Sequence, residues 1–177
     1  MFLSFILISS LSSACSQISF VEQPQDGQFY CRDLITNEAT VPVIGSIATP
    51  DVDELALVVF KDGVYYQSDI ESLIYTNGQA SFDLTVTIVA GLHNYNFYLY
   101  AQKSGIRRQI MSARQIVCGD AFIIDGQSNA VATDYHQEGL ANESQSNWIR
   151  SYGTASVNAS DVPIDAEWYV ADGIGAY

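Results

Sequence analysis

The chain has 177 residues, and its 20 acidic and 7 basic residues give it a formal net charge of −13. Hydrophobic residues make up 48% and charged residues 15%, which is typical of a globular protein and excludes a disordered one. The small number of basic residues also excludes a nucleic-acid-binding surface and electrostatic attraction to an anionic membrane. The length allows one domain, or one small domain with part of a second.

The N-terminal segment is the longest apolar stretch, from residue 2 to residue 11, and small residues and then Cys15 follow it. It is shorter than the roughly 20 residues that a membrane-spanning helix needs. It is typical of the apolar part of a secretory signal. Ala14 directly before Cys15 fits a lipoprotein signal, whereas the absence of Lys or Arg before the apolar run argues against one. The alternative interpretation is a first buried β-strand.

We therefore predict that residues 1–14 are a signal peptide and that the protein is exported. Its destination would be the periplasm, the outer membrane or the extracellular space. A lipid on Cys15 would be its only attachment to a membrane, and simple cleavage remains the alternative.

The segment from residue 18 to residue 117 is predicted to form short strands. Apolar or alternating runs occur at 18–21, 29–31, 40–47, 55–60, 64–66, 82–88, 95–101 and 106–117. Asp62-Gly63 and Asn77-Gly78 are typical turn sequences between such runs. The spacing favours an antiparallel immunoglobulin-like β-sandwich over residues 15–117, with no helix longer than two turns between residues 54 and 101. Another all-β arrangement is the alternative.

We interpret the tyrosines, cysteines and histidines of this segment first as structural residues. Alternation in Tyr95-Asn96-Phe97-Tyr98-Leu99-Tyr100 predicts core and cross-strand packing, and a sugar-binding face is the alternative. A disulfide between Cys31 and Cys118 is left open, since an oxidising compartment would permit it. The chain has no Cys/His cluster, so we predict no metal site and no cofactor.

The pattern changes at Cys118. The apolar run 121–124 lacks alternation, which favours a strand buried on both faces, as in a parallel sheet covered by helices. Gly126-Gln127-Ser128-Asn129 follows, and open α/β sheets place their ligand sites at the end of such a strand. A serine at a sharp strand-to-helix turn exposes its hydroxyl for nucleophilic attack, although a helix N-cap serine has the same local sequence.

Residues 118–130 closely resemble the first motif of the sialate O-acetylesterase group of SGNH hydrolases, in which the Gly-Gln-Ser-Asn string carries the catalytic serine. Residues 148–153 are similar to the next block of that family, whose glycine supplies an oxyanion N–H. The resemblance implies that Ser128 is the nucleophile and Gly153 an oxyanion donor. It also implies that residues 118–177 are the first strands and helix of a truncated α/β hydrolase domain.

The resemblance further implies the activity. The full-length protein would be a serine-dependent ester hydrolase that removes acetyl groups from a carbohydrate substrate without a cofactor. The competing hypothesis is a non-enzymatic secreted β-sandwich module that binds glycan or protein partners.

The chain departs from the family because no Asp-x-x-His pair follows Gly153. His136 lies eight residues after Ser128, about 12 Å away along a helix, which is too far for a base. We interpret His93 as a turn residue, and Asp120 and Asp134 as polar groups at the ends of elements. We therefore expect the chain to be a fragment of a longer reading frame and inactive alone.

The export prediction can be checked on protein purified from the secreted or membrane fraction of an expressing cell. Mass spectrometry should find residues 1–14 removed and Cys15 as the first residue, with an added lipid mass if the segment is a lipoprotein signal. Mature protein that retains Met1 would contradict the prediction.

Overall fold

The structure is a computed structural model that describes residues 18–48, 52–123, 146–153 and 167–170. Those ranges contain ten strands and no helix, and hence no helix that could cross a membrane. In chain order the strands are β1 (Ile18–Glu22), β2 (Phe29–Cys31), β3 (Glu38–Ile47), β4 (Glu54–Lys61), β5 (Val64–Ser72), β6 (Ala80–Val89), β7 (Gly91–Lys103), β8 (Ile106–Gly119), β9 (Arg150–Gly153) and β10 (Glu167–Val170).

The first eight strands form two sheets, which together we call the β-sheet body. One has the order β1-β3-β6 and the other the order β2-β8-β7-β4-β5, while β9 and β10 form a separate hairpin. Asp62 and Gly63 both have positive φ (52° and 81°), as the two-residue turn between β4 and β5 requires. The predictions of a mainly β structure and of no long helix between residues 54 and 101 are confirmed.

One apolar core lies between the two sheets. Period-2 alternation along each strand sends every second side chain to the core. The buried residues come from both sheets: Val41, Val43 and Ile47 on β3; Leu55, Leu57 and Val59 on β4; Phe82, Leu84, Val86 and Ile88 on β6; Tyr95, Phe97 and Leu99 on β7; Ala113 and Ile116 on β8. Each large apolar side chain buried in this way stabilises the fold by about 1.5–3 kcal/mol.

One strand pair differs from the predicted antiparallel arrangement. β2 pairs with β8 in parallel, with Phe29 opposite Val117 and Cys31 opposite Gly119. The two strands are far apart in the sequence, so no hairpin fixes their relative direction.

The end of β8 also differs from the prediction. The strand continues to Gly119, two residues beyond the predicted end at residue 117, and Cys118 belongs to the core. Residues 121–123, which the sequence predicts in a buried strand, are exposed and not in a strand; Ile123 is 97% exposed. A buried strand needs partner strands, and no described residue pairs with this segment.

The two described cysteines are free thiols. Tyr30 is the residue opposite Cys118, so Cys31 directs its side chain to the other face of the sheet. Cys31 is exposed and Cys118 is buried, and burial raises the pKa of the Cys118 thiol to about 11. This arrangement explains why no disulfide joins them.

Tyr95 connects the two sheets through a buried hydroxyl. Its ring is fully buried on β7, and its hydroxyl donates to the Val89 carbonyl at 2.8 Å and accepts from the Val89 N–H at 3.2 Å on β6. Burial raises the pKa of this phenol to about 12. Because this buried hydroxyl has a partner both as a donor and as an acceptor, it stabilises the connection from β6 to β7.

Replacing Tyr95 tests this connection. Tyr95→Phe should lower the free energy of unfolding by about 1–3 kcal/mol, because it leaves the Val89 backbone groups without their partner. Urea unfolding followed by circular dichroism measures the change. Tyr65→Phe is the matched control, since its hydroxyl bonds Ser68 on the exposed surface at 3.0 Å, and it should change stability little.

Comparison of Tyr95→Phe with the parent protein also gives a pH test. The raised pKa of Tyr95 means that its contribution to stability is complete below pH 10 and is lost as the pH rises towards 12. Tyr95→Phe should therefore lose less stability than the parent protein over that interval. Equal losses in both proteins would show that Tyr95 does not titrate with folding.

Candidate functional site

Only part of the predicted catalytic machinery lies in the described residues. Gly126-Gln127-Ser128-Asn129 lies outside them, as do Cys15, Asp134 and His136. Gly153 is described: it is the last residue of β9 and pairs with Glu167 of β10. The site can therefore be built from the surroundings of the β9–β10 hairpin.

Arg150 anchors this hairpin to the β-sheet body. Its Nε donates to the Gly27 carbonyl at 3.0 Å, and its Nη2 donates to the Gln115 carbonyl on β8 at 3.0 Å. Its Nη1 donates to the carbonyls of Asn147 and Ile149 beside it. Burial lowers the pKa of the guanidinium from its usual value, and the carbonyl oxygens around it compensate for the lost hydration.

Aromatic packing holds the same hairpin. The Trp168 ring lies 6.2 Å from the Phe29 ring on β2 and 4.9 Å from the Tyr152 ring on β9. Phe29 is opposite Val117, two residues before the end of β8. The hairpin that contains Gly153 is thus attached close to the point from which the chain continues towards Ser128.

Two buried polar atoms of this region lack a hydrogen-bond partner. They are Trp148 Nε1 and Ser151 Oγ, and no described residue bonds to them. Buried polar atoms are almost always paired in folded proteins. The block at residues 148–153 therefore has hydrogen-bonding capacity that the described residues do not fill.

The acidic and histidine candidates are engaged elsewhere. Asp120 Oδ1 accepts a hydrogen bond from Arg32 Nε at 2.8 Å, and this bond raises the pKa of Arg32. His93 Nδ1 lies 2.7 Å from Asp62 Oδ2. The Asn94 N–H and then His93 lower the pKa of Asp62, which ties the β4–β5 turn to β7. These contacts assign Asp120 and His93 to the maintenance of strand ends and turns.

An open groove of about 460 Å³ lies on the three-stranded sheet, lined by residues of β1, β3 and β6 and by one residue of β5. Glu71 lines it, but the Oε2 of Glu71 accepts the Asp83 N–H at 2.8 Å, and Asp69 Oδ2 accepts the Thr85 N–H at 2.9 Å. These carboxylates occupy backbone donors along the edge of β6, which blocks unwanted strand pairing there. None of the site residues predicted from the sequence lines the groove.

A second exposed feature is the outer face of the five-stranded sheet. We call it the aromatic face, and it comprises Phe60, Tyr65, Tyr98, Tyr100, Arg107 and Arg114. The alternation predicts core and cross-strand packing for the tyrosines. Tyr95 lies in the core, whereas Tyr98 and Tyr100 are half-buried on the opposite face, where Tyr98 packs across strands against Phe60. The alternation along the strand indicates which tyrosines face outward. It does not indicate the register that places the arginines over the tyrosine rings.

Comparison with known proteins adds no relative. No protein-family model matches the chain, and no curated protein matches its sequence. The resemblance to the esterase group therefore rests on residues 118–130 and 148–153 alone.

Replacing Arg150 tests how the hairpin is attached. Arg150→Met keeps the apolar stem and removes the donors, and it should weaken hairpin docking by about 1.5–3 kcal/mol. Both tryptophans of the chain, Trp148 and Trp168, belong to this region, so tryptophan fluorescence reports on it alone. In urea the fluorescence transition should move to lower concentration while the circular dichroism transition stays in place.

Arg108→Met is the matched control, because Arg108 is exposed and forms no ion pair among the described residues. It should move neither transition. If Arg150→Met shifted both transitions together, the hairpin and the sheets would unfold as one unit and Arg150 would be part of the global fold.

Proposed function

We propose that the protein is a secreted carbohydrate O-acetylesterase of the SGNH type, with Ser128 as its nucleophile. The observation that carries the proposal is that the described start of the first resembling block and Arg150 of the second block both belong to or contact β8. Residues 118–119 end β8, and Arg150 attaches the block containing Gly153 to Gln115 of the same strand. Gly119 and Arg150 are about 30 residues apart in the sequence, and both are thus tied to the C-terminal part of one strand.

In the proposed reaction the Ser128 hydroxyl attacks the acetyl carbonyl. A His base takes the hydroxyl proton and then gives it to the departing sugar oxygen, which leaves an acetyl-enzyme. Water hydrolyses that ester and releases acetate and the free serine. The N–H groups of Ser128 and Gly153 hold the oxyanion.

The 177 residues do not provide the catalytic base of the proposed reaction. His93 is bonded to Asp62 in the β4–β5 turn region, and His136, eight residues after Ser128, would lie about 12 Å away along a helix, which is too far for a base. The proposal therefore assigns the base to an Asp–His pair encoded in a longer reading frame.

For the β-sheet body we propose the immunoglobulin-like sandwich arrangement. The sheet orders β1-β3-β6 and β2-β8-β7-β4-β5 support it. So does Tyr95, which lies near the start of a strand and bonds the backbone six residues upstream, as the tyrosine corner of such domains does.

The second candidate is a non-enzymatic secreted module that binds glycan or protein partners. The observation favouring it is that residues 39–118 supply the entire apolar core described above. An in-frame Asp-x-x-His about 100–200 residues downstream would support the esterase, by the usual size of a domain. An authentic stop codon after Tyr177 would support the module.

Activity of three proteins tests the esterase: this chain, the full reading frame, and the full frame with Ser128→Ala. On p-nitrophenyl acetate and acetylated sugars, this chain should be nearly inactive, because loss of a triad member costs orders of magnitude in rate. The full frame should be active, and Ser128→Ala should abolish that activity.

Two outcomes would contradict the proposal in different ways. Normal turnover by this chain alone would refute the argument that the base is missing and would make His136 a candidate base again. Full activity of the Ser128→Ala protein would refute the assignment of the nucleophile.

A further inference from the structure

The aromatic face has a regular geometry. Tyr98 and Tyr100 are two residues apart on β7, so their side chains lie on the same side of the sheet, about 7 Å apart. The edge of the Phe60 ring on β4 contacts Tyr98 with ring centroids 5.8 Å apart and Tyr65 with centroids 6.4 Å apart. Four rings thus form a continuous patch across three strands.

Two arginines of β8 cover this patch. The Arg107 guanidinium lies 5.3 Å from the Tyr100 ring centre, and that of Arg114 lies 6.0 Å from the Tyr98 ring centre. Both arginines are exposed. Stacking over an aromatic ring leaves the in-plane N–H donors of a guanidinium available to a ligand.

These arginines differ from three of the other cations in the chain, although Lys61 and Arg108 also form no ion pair among the described residues. Arg32 and Lys103 form ion pairs with Asp120 and Asp53, and Arg150 is buried against carbonyl oxygens. Among the described residues no carboxylate lies within ion-pair distance of Arg107 or Arg114. In a protein with a net charge of −13 this places two guanidinium groups without an ion-pair partner among the described residues on a face that is rich in aromatic rings.

We propose that the aromatic face binds a carboxylate-bearing polysaccharide of the uronic acid type. A guanidinium forms paired hydrogen bonds with a carboxylate. The apolar faces of sugar rings pack against aromatic rings, and the open sheet surface accommodates an extended chain. An acidic peptide would satisfy the arginines but would leave the row of rings unused.

The net charge opposes a polyanion, so the ionic strength decides which effect dominates. At 0.15 M salt the Debye length is about 8 Å, which screens remote carboxylates but not groups in direct contact with the ligand. Binding should therefore be measured at that salt concentration. The proposal does not depend on Ser128, and its test does not measure esterase activity.

The test is calorimetry or affinity electrophoresis of the full chain with three probes. Polygalacturonate carries rings and carboxylates, its fully methyl-esterified form carries the rings without the charge, and poly-L-glutamate carries the charge without the rings. Polygalacturonate should bind at least about tenfold more tightly than either of the others, since each charged hydrogen bond contributes about a factor of ten or more.

Variants locate the site. Arg107→Gln combined with Arg114→Gln should weaken polygalacturonate binding by tenfold or more, and Tyr100→Leu, which keeps an apolar side chain, should weaken it by several-fold. Arg108→Gln is the matched control, because Arg108 lies beside Arg107 but opposite Ala101, whose side chain faces the core. It should change affinity less than twofold, and circular dichroism checks that each variant is folded.

Four results would overturn the proposal: no binding of polygalacturonate, unchanged binding by the double arginine variant, equal binding of the methyl-esterified polymer, or equal binding of poly-L-glutamate. The last would identify the face as a site for acidic peptides. Equal binding of the methyl-esterified polymer would likewise remove the role given to the arginines.

Discussion

The hydroxyl of Tyr95 is the polar group around which the two sheets are arranged. It lies within an apolar core, and both of its hydrogen bonds go to the backbone of a single residue, Val89, on the opposite sheet. A slip of β7 by one residue would place this hydroxyl on the wrong side of the sheet and leave Val89 unpaired. The cost of an unpaired buried group therefore fixes the register of the central strand of the larger sheet.

That register determines what the outer face presents. With Tyr95, Phe97 and Leu99 facing inward, Tyr98 and Tyr100 must face outward. β8 pairs with β7 along this strand. The pairing is irregular near Gln115, which has a φ of 58°, and this irregularity directs the Gln115 carbonyl to Arg150. The aromatic face and the hairpin attachment thus both depend on how β8 lies against β7.

The sequence predicts most strands because their signals are local. Alternation at residues 82–88 and the turn at Asp62-Gly63 depend on neighbouring residues only. The parallel pairing of β2 with β8, the inclusion of Cys118 in the core and the stacking of Arg107 and Arg114 on tyrosines depend on residues far apart in the chain, which periodicity does not report. Ser128 and Gly153 both remain predictions from motif resemblance, and the structure describes Gly153 as the last residue of β9, opposite Glu167 of β10.

The two proposals share one strand. The aromatic face uses Arg107 and Arg114 of β8, and the same strand ends at Gly119, nine residues before Ser128. At about 3.3 Å per strand residue, Arg114 lies at most about 17 Å from Gly119. A polysaccharide that extended from the aromatic face along β8 would reach the end of that strand, which precedes the proposed nucleophile by nine residues in the sequence. Binding at the face would raise the local concentration of acetyl esters there without any contact between the two sites.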